Sequence, residues 1–179
     1  MSLDPTLALA GALLLAVIFG SAGPAKLMAR DAFAGVVANY RLLPDRLVTP
    51  FALALPCLEI AVALGLLLPA TRGAAALLAA VLLLLFAAAM AVNLLRGRRD
   101  IDCGCAIGRL RERIGWPLVA RNLLLTVVAL FLAWGRAVPR PLEWLDFVSI
   151  AAALACLLLL HAAAGRLFGM APVDPTGAR

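Results

Sequence analysis

Between Gly73 and Leu95 the chain runs for 23 residues without a charge, GAAALLAAVLLLLFAAAMAVNLL. Coiled into a helix, such a run extends about 34 Å at ~1.5 Å per residue, and a bilayer's hydrocarbon layer is about 30 Å thick. A helix that is apolar on every side must be covered all round by protein or by lipid. Three more runs are comparable: 5–25 is uncharged, 48–68 contains only Glu59, and 116–134 contains only Arg121. A fifth apolar stretch occupies 145–168. The chain is 65% hydrophobic and 15% charged over 179 residues, against about 45–50% and about 25% in soluble domains. These values exclude a soluble enzyme, a disordered chain and a secreted disulfide scaffold. They predict an all-α polytopic membrane bundle, with a four-helix core plus a fifth C-terminal transmembrane helix. Residues 1–170 are expected to form one integral membrane domain and 171–179 a flexible tail. The first run lacks a preceding basic residue and exceeds the roughly 7–15 residues of a signal-peptide core, so it is read as a retained span.

Two connections are long. In 26–47, Phe33, Val36, Val37, Tyr40 and Leu43 recur at helical spacing, which predicts a short interfacial helix. Residues 96–115, RGRRDIDCGCAIGRLRERIG, are rich in Gly and Arg and contain two of the four cysteines. The formal charge of +6 reads as orientation, since basic residues accumulate in cytoplasmic loops. Lys26, Arg30, Arg41, Arg46, Arg96, Arg98, Arg99, Arg109, Arg111, Arg113, Arg166 and Arg179 fall on one side of a five-span chain; Arg72, Arg136 and Arg140 fall on the other. The predicted topology in the plasma (inner) membrane has the N-terminus outside and the Cys103–Cys105 loop in the cytoplasm. The basic loops lack interleaved aromatic residues, which argues against nucleic acid as a ligand.

Asp102-Cys103-Gly104-Cys105 is the first candidate for chemistry. Glycine between the cysteines permits the unusual torsions of a very small disulfide ring. A ring of that size departs from relaxed disulfide geometry and is easier to reduce. Neighbouring arginines favour the thiolate, whereas Asp100 and Asp102 oppose it. The alternatives are two ordinary loop thiols or part of a metal site. Two cysteines and one distant histidine, His161, make a poor zinc set, so no metal is expected.

Glu59 is the second candidate, because a carboxylate inside a span is costly and normally faces a partner or water. Lys26 and Arg121 are its candidate partners. Lys26, Asn93, Arg121, Asn122 and the cysteine pair all fall near one membrane face, with Glu59 deeper, so a supporting polar cluster beneath the cysteine loop is geometrically allowed. The alternative is plain interhelical glue between Glu59 and Arg121. Cys57, two residues before Glu59, is a candidate accessory thiol. Cys156 reads as a small apolar group. Ser21-Ala22-Gly23 suits close helix contact.

Several features in order resemble the methylamine-utilisation membrane protein family (MauE), within the DoxX-like group. They are Gly23 and Lys26, then Tyr40-Arg41-Leu42-Leu43-Pro44, then Leu55-Pro56-Cys57-Leu58-Glu59. Asn93, Arg96 and Gly97 precede Asp102-Cys103-Gly104-Cys105 and Gly108, and Arg121-Asn122 opens the fourth span. The sequence departs from the pattern at Ala106-Ile107-Gly108, where an aromatic residue is expected before the glycine. The resemblance implies a thiol-redox helical bundle that assists maturation of the disulfide-rich methylamine dehydrogenase with a thioredoxin-like partner, on the oxidising side of the membrane. The charge count places the cysteine loop on the opposite side. Either the loop trades electrons with a cytoplasmic donor, or it folds back and the orientation is reversed. A quinone lodged between helices is a candidate electron acceptor. Two other classes remain open: a non-catalytic membrane subunit that assembles or anchors a redox complex, and a small-solute permease.

Overall fold

A computed structural model describes residues 2–103, 113–137 and 143–169. Its helices are α1 (Pro5–Met28), α2 (Arg30–Tyr40), α3 (Asp45–Leu67), α4 (Arg72–Leu95), α5 (Trp116–Trp134) and α6 (Trp144–Gly169). Two strands of two residues each, β1 (Ser2–Leu3) and β2 (Arg136–Ala137), pair in parallel and tie the N-terminal end to the segment after α5. The architecture is an all-helical bundle. Among the described residues, α1, α3, α4 and α5 are long and apolar enough to cross a membrane, and Trp144–Cys156 of α6 is a shorter apolar stretch. The last residues, 170–179, lie outside the described set.

Several helix ends have a local cause. The Asp4 carboxylate accepts from the Thr6 backbone N–H at 2.8 Å and caps α1, whose first residue is Pro5. Pro24 does not end α1, which continues for another turn past the expected boundary and carries Lys26 within it. The break at Ala29 (φ −118°, ψ 42°) starts α2, the short helix predicted from the Phe33/Val36/Val37/Tyr40 spacing. Arg41 takes the left-handed conformation that closes α2 (φ 51°, ψ 40°). Pro50 and Pro56 both lie inside α3, which runs through them. Pro117 sits in the first turn of α5, where its missing N–H costs nothing.

The α4/α5 and α1/α3 pairs make the most extensive interfaces, and α3 against α4 joins the two pairs. Leu15, Phe19, Leu66, Ala76, Ala79 and Ala129 form the centre of the core. Outward, Leu64, Leu78, Leu84, Leu124 and Val127 are exposed, as a lipid-facing surface requires. Trp116 and Trp134 are exposed at the two ends of α5. They lie about 27 Å apart at ~1.5 Å per residue, the spacing of two aromatic belts. Below the loop that leaves α4, a second cluster gathers Met90, Leu94, Ile101, Ile114 and Leu118.

Small residues set the close approaches. A Cβ on Gly23 would lie 2.8 Å from Ile60 Cγ1 and 2.9 Å from the Pro56 carbonyl, so α1 and α3 meet there without room for a methyl group. Gly35, inside α2, has nothing within 4 Å of the same position. Gly23→Ala is therefore expected to destabilise the bundle by about 1–3 kcal/mol through overpacking. Gly35→Ala should be neutral or stabilising by about 0.5–1 kcal/mol, because helical glycine is entropically costly. Unfolding of both variants in the same detergent separates a packing requirement from a general glycine effect.

Candidate functional site

Among the described residues, the buried polar side chains are Lys26, Glu59, Asn93, Asn122 and Thr126. Lys26 Nζ donates to Glu59 Oε1, and the two side chains are 3% and 1% exposed. This ion pair joins α1 to α3 beside the Gly23 contact. The ammonium also lies 5.3 Å from the Phe33 ring centroid and 5.1 Å from that of Phe86, within cation–π range. Four elements, α1 to α4, thus converge on one cation.

Glu59 Oε2 and Asn122 Nδ2 are buried without a hydrogen-bond partner among the described residues. Both residues line a cavity of about 120 Å³ together with Lys26, Ser21, Phe86 and Arg121. Arg121 lies five residues after Trp116, about 7–8 Å along α5 from its belt. Of the expected cluster of Lys26, Glu59, Asn93, Arg121 and Asn122, all but Asn93 line this one small polar space. Of the two candidate partners for Glu59, Lys26 makes the direct ion pair, and Arg121 shares the cavity.

Asn93 belongs to a different assembly. It is fully buried, donates through Nδ2 to the Ala89 carbonyl at 3.1 Å, and accepts from Arg98 Nη1 at 2.8 Å. Arg98 also donates to the carbonyls of Asn39 (2.8 Å) and Tyr40 (3.4 Å), the C-terminal end of α2, where a helix dipole favours a cation. The Tyr40 hydroxyl donates in turn to the Cys103 carbonyl at 3.4 Å. An isolated antiparallel bridge between Asp102 and Arg113 closes the segment that carries the cysteines. Ile114 N–H bonds to the Ile101 carbonyl at 2.9 Å, with both isoleucines buried below it. An exposed Arg113–Asp100 ion pair at 3.0 Å lies beside it. Cys103 is thereby fixed, half-buried, next to Tyr40. Cys105 lies outside the described residues.

A second cavity, of about 170 Å³, lies between α2, α3 and α4. Phe33, Phe51, Phe86 and Met90 are in its wall, with Lys26 on the buried side and Cys103 on the loop side. Lys26 thus borders both the polar and the apolar cavity. Cys57 and Cys156 are both exposed on the outside of the bundle, so Cys57 is not brought to the cluster despite its proximity to Glu59 in sequence. Among the described residues no group of three or more His, Cys, Asp or Glu could hold a metal ion. Sequence reading passed over Tyr40 and Arg98 as site residues. The Tyr40-Arg41 and Asn93…Arg98 neighbourhoods held the only signal, and several adjacent arginines masked it.

Removing one partner of a buried pair leaves an uncompensated charge, at a cost of about 3–5 kcal/mol, whereas apolar replacement of both is often nearly neutral. Lys26→Met should therefore reduce the yield of folded protein severely, and Lys26→Met combined with Glu59→Leu should recover much of it. Size-exclusion profiles and thermal unfolding of the three proteins check this; equal damage in single and double variants contradicts it.

The family model described as "Methylamine utilisation protein MauE" matches residues 4–135, which includes α1 to α5 and the cysteine segment. The chain is 42% identical over 164 residues to a protein of Paracoccus versutus named methylamine utilization protein MauE, covering 92% of this chain and 88% of that one. The likeness to the protein of the same name from Methylophilus methylotrophus is 44% over 158 residues, 88% of this chain and 82% of the relative. For that of Methylorubrum extorquens it is 41% over 150 residues, 83% and 81%. No solved structure matches the chain. Matches of this extent, spanning α1, α3, α4 and α5 and the lining of both cavities, show that the chain belongs to the MauE family of multi-pass membrane proteins.

Proposed function

We propose that this protein is an integral membrane thiol–disulfide redox protein of methylamine utilisation, with Cys103 and Cys105 as its working pair. The observation that carries the reading is the fixed position of Cys103. The Asp102–Arg113 bridge and the Tyr40 hydrogen bond hold it at an apolar cavity that reaches the buried Lys26–Glu59 pair. Exchange with a partner proceeds through a mixed disulfide. A thiolate of one protein attacks the S–S bond of the other, and the second thiol of the attacking protein then releases the partner as a dithiol. The pair here becomes a disulfide as the partner disulfide is reduced, or the reverse. A thioredoxin-like protein supplies a suitable pair of that kind. Lys26, Glu59, Arg121 and Asn122 maintain the bundle beneath the thiols, and Asn93 acts through Arg98 as a positioning residue.

The α1–α3 connection and the cysteine segment occupy the same end of the bundle, since Arg98 bonds to Asn39 and Tyr40. We assign that end to the cytoplasmic side of the plasma membrane on the charge count, with α6 as a fifth span. A non-catalytic assembly subunit is the competing reading. It needs the fold without the thiols.

Two experiments test the proposal. In a Paracoccus versutus strain lacking its own MauE, the wild-type chain is expected to restore growth on methylamine. The Cys103→Ser/Cys105→Ser variant, present at equal level in the membrane, is expected to fail; full rescue removes the redox reading and leaves the assembly subunit. In intact cells, a membrane-permeant maleimide should label the reduced pair and an impermeant one should not. Labelling by the impermeant reagent reverses the orientation.

A further inference from the structure

We propose that the 170 Å³ cavity between α2, α3 and α4 binds the ring of a lipid-soluble quinone, which takes the electrons of the Cys103/Cys105 pair. This inference rests on the thiol reading above. Four observations lead to it, and each narrows the occupant.

The size suits one ring: an engineered apolar cavity of about 150 Å³ accepts benzene. The lining is aromatic and aliphatic, with Phe33, Phe51 and Phe86 among the walls. Leu42 and Leu85 also line the space, and they are 40% and 44% exposed. Leu85 lies on the apolar helix α4 between its lipid-facing neighbours, so the cavity is open toward the hydrocarbon and a tail has a way out.

The polar features select among apolar molecules. The Lys26 ammonium is buried in the wall, with one N–H committed to Glu59 and two phenyl rings beside it. A lipid acyl chain offers this cation nothing. A quinone carbonyl offers an acceptor, and one that gains negative charge as the ring is reduced, where a fixed cation stabilises it. Cys103 stands in the same wall, so an electron donor and a carbonyl-binding cation border one space.

The reaction balances without another reagent. Two S–H bonds break and one S–S bond forms between Cys103 and Cys105. The two electrons pass to the quinone, and the two protons end on its oxygens as two O–H bonds, giving one quinol per disulfide. Lys26 borders both the apolar and the polar cavity, and its partner Glu59 lines the polar one, so the pair provides a route for one of those protons.

The test uses the full chain in phosphatidylcholine nanodiscs with Cys57→Ser and Cys156→Ser, so that only Cys103 and Cys105 titrate. The reduced protein is mixed anaerobically with decylubiquinone, and quinol formed and thiols lost are followed together. A parallel sample receives diamide, a soluble thiol oxidant that does not need the cavity. One quinol per disulfide is expected. Ala89→Phe and Val37→Trp, which fill the cavity from two different helices, should slow oxidation by quinone by about tenfold or more while diamide still closes the disulfide. Leu84→Phe, on the lipid face of α4, should react like the parent. Equal quinone rates in the filled variants overturn the proposed site. Closure by diamide but not by quinone in the parent overturns the acceptor and leaves the thiol reading standing. Failure of both oxidants to link Cys103 to Cys105 overturns the thiol reading itself.

Discussion

The buried ion pair between Lys26 and Glu59 governs how this bundle is put together. Each charge alone is too costly inside a membrane protein, so each helix can be placed only where it meets the other. That condition sets the register of α1 on α3, and the missing side chain of Gly23 lets the two backbones approach closely enough to satisfy it. The Phe33 and Phe86 rings then draw α2 and α4 to the same cation. Hydrophobic burial cannot supply such a constraint, since lipid tails are as apolar as the leucines of the core. Specificity in a bundle this rich in alanine and leucine therefore rests on very few polar atoms.

The two halves of the site use different physics. Beneath the surface, charge is buried between helices, with the second Glu59 oxygen and the Asn122 amide at a small polar space. Near the surface, ordinary loop devices operate: a backbone bridge, buried isoleucines on both sides of it, and an arginine closing the end of α2. Lys26 belongs to both cavities and is the physical link between them.

Much of the fold was legible because charge-free runs longer than a bilayer is thick have few structural solutions. The short helix α2 was visible from the spacing of Phe33, Val36, Val37 and Tyr40. Glu59 stood out because a carboxylate in an apolar run demands an explanation. Its choice of Lys26 over Arg121 was not legible: it depends on how far α1 continues past Pro24, and local sequence signals leave a helix boundary uncertain by a turn. Cys57 shows the converse. Two residues from Glu59 on a helix means nearly the opposite face, so closeness in sequence suggested a partnership that the helical period forbids. Arg98 was hidden because Arg96, Arg98 and Arg99 look alike until the fold reveals which one meets the end of α2.

The bridge between Asp102 and Arg113 divides the work of the segment it closes. The chain up to Cys103 is anchored to the bundle, and Arg113 is bonded back to the same base through Asp102 and Asp100. The cost of closing a loop changes only slowly with its length, and surface connections accept changes of sequence that the framework does not. The bridge therefore belongs to the framework: a substitution that opens it is felt at Cys103 and, through the Tyr40 hydroxyl, at the end of α2.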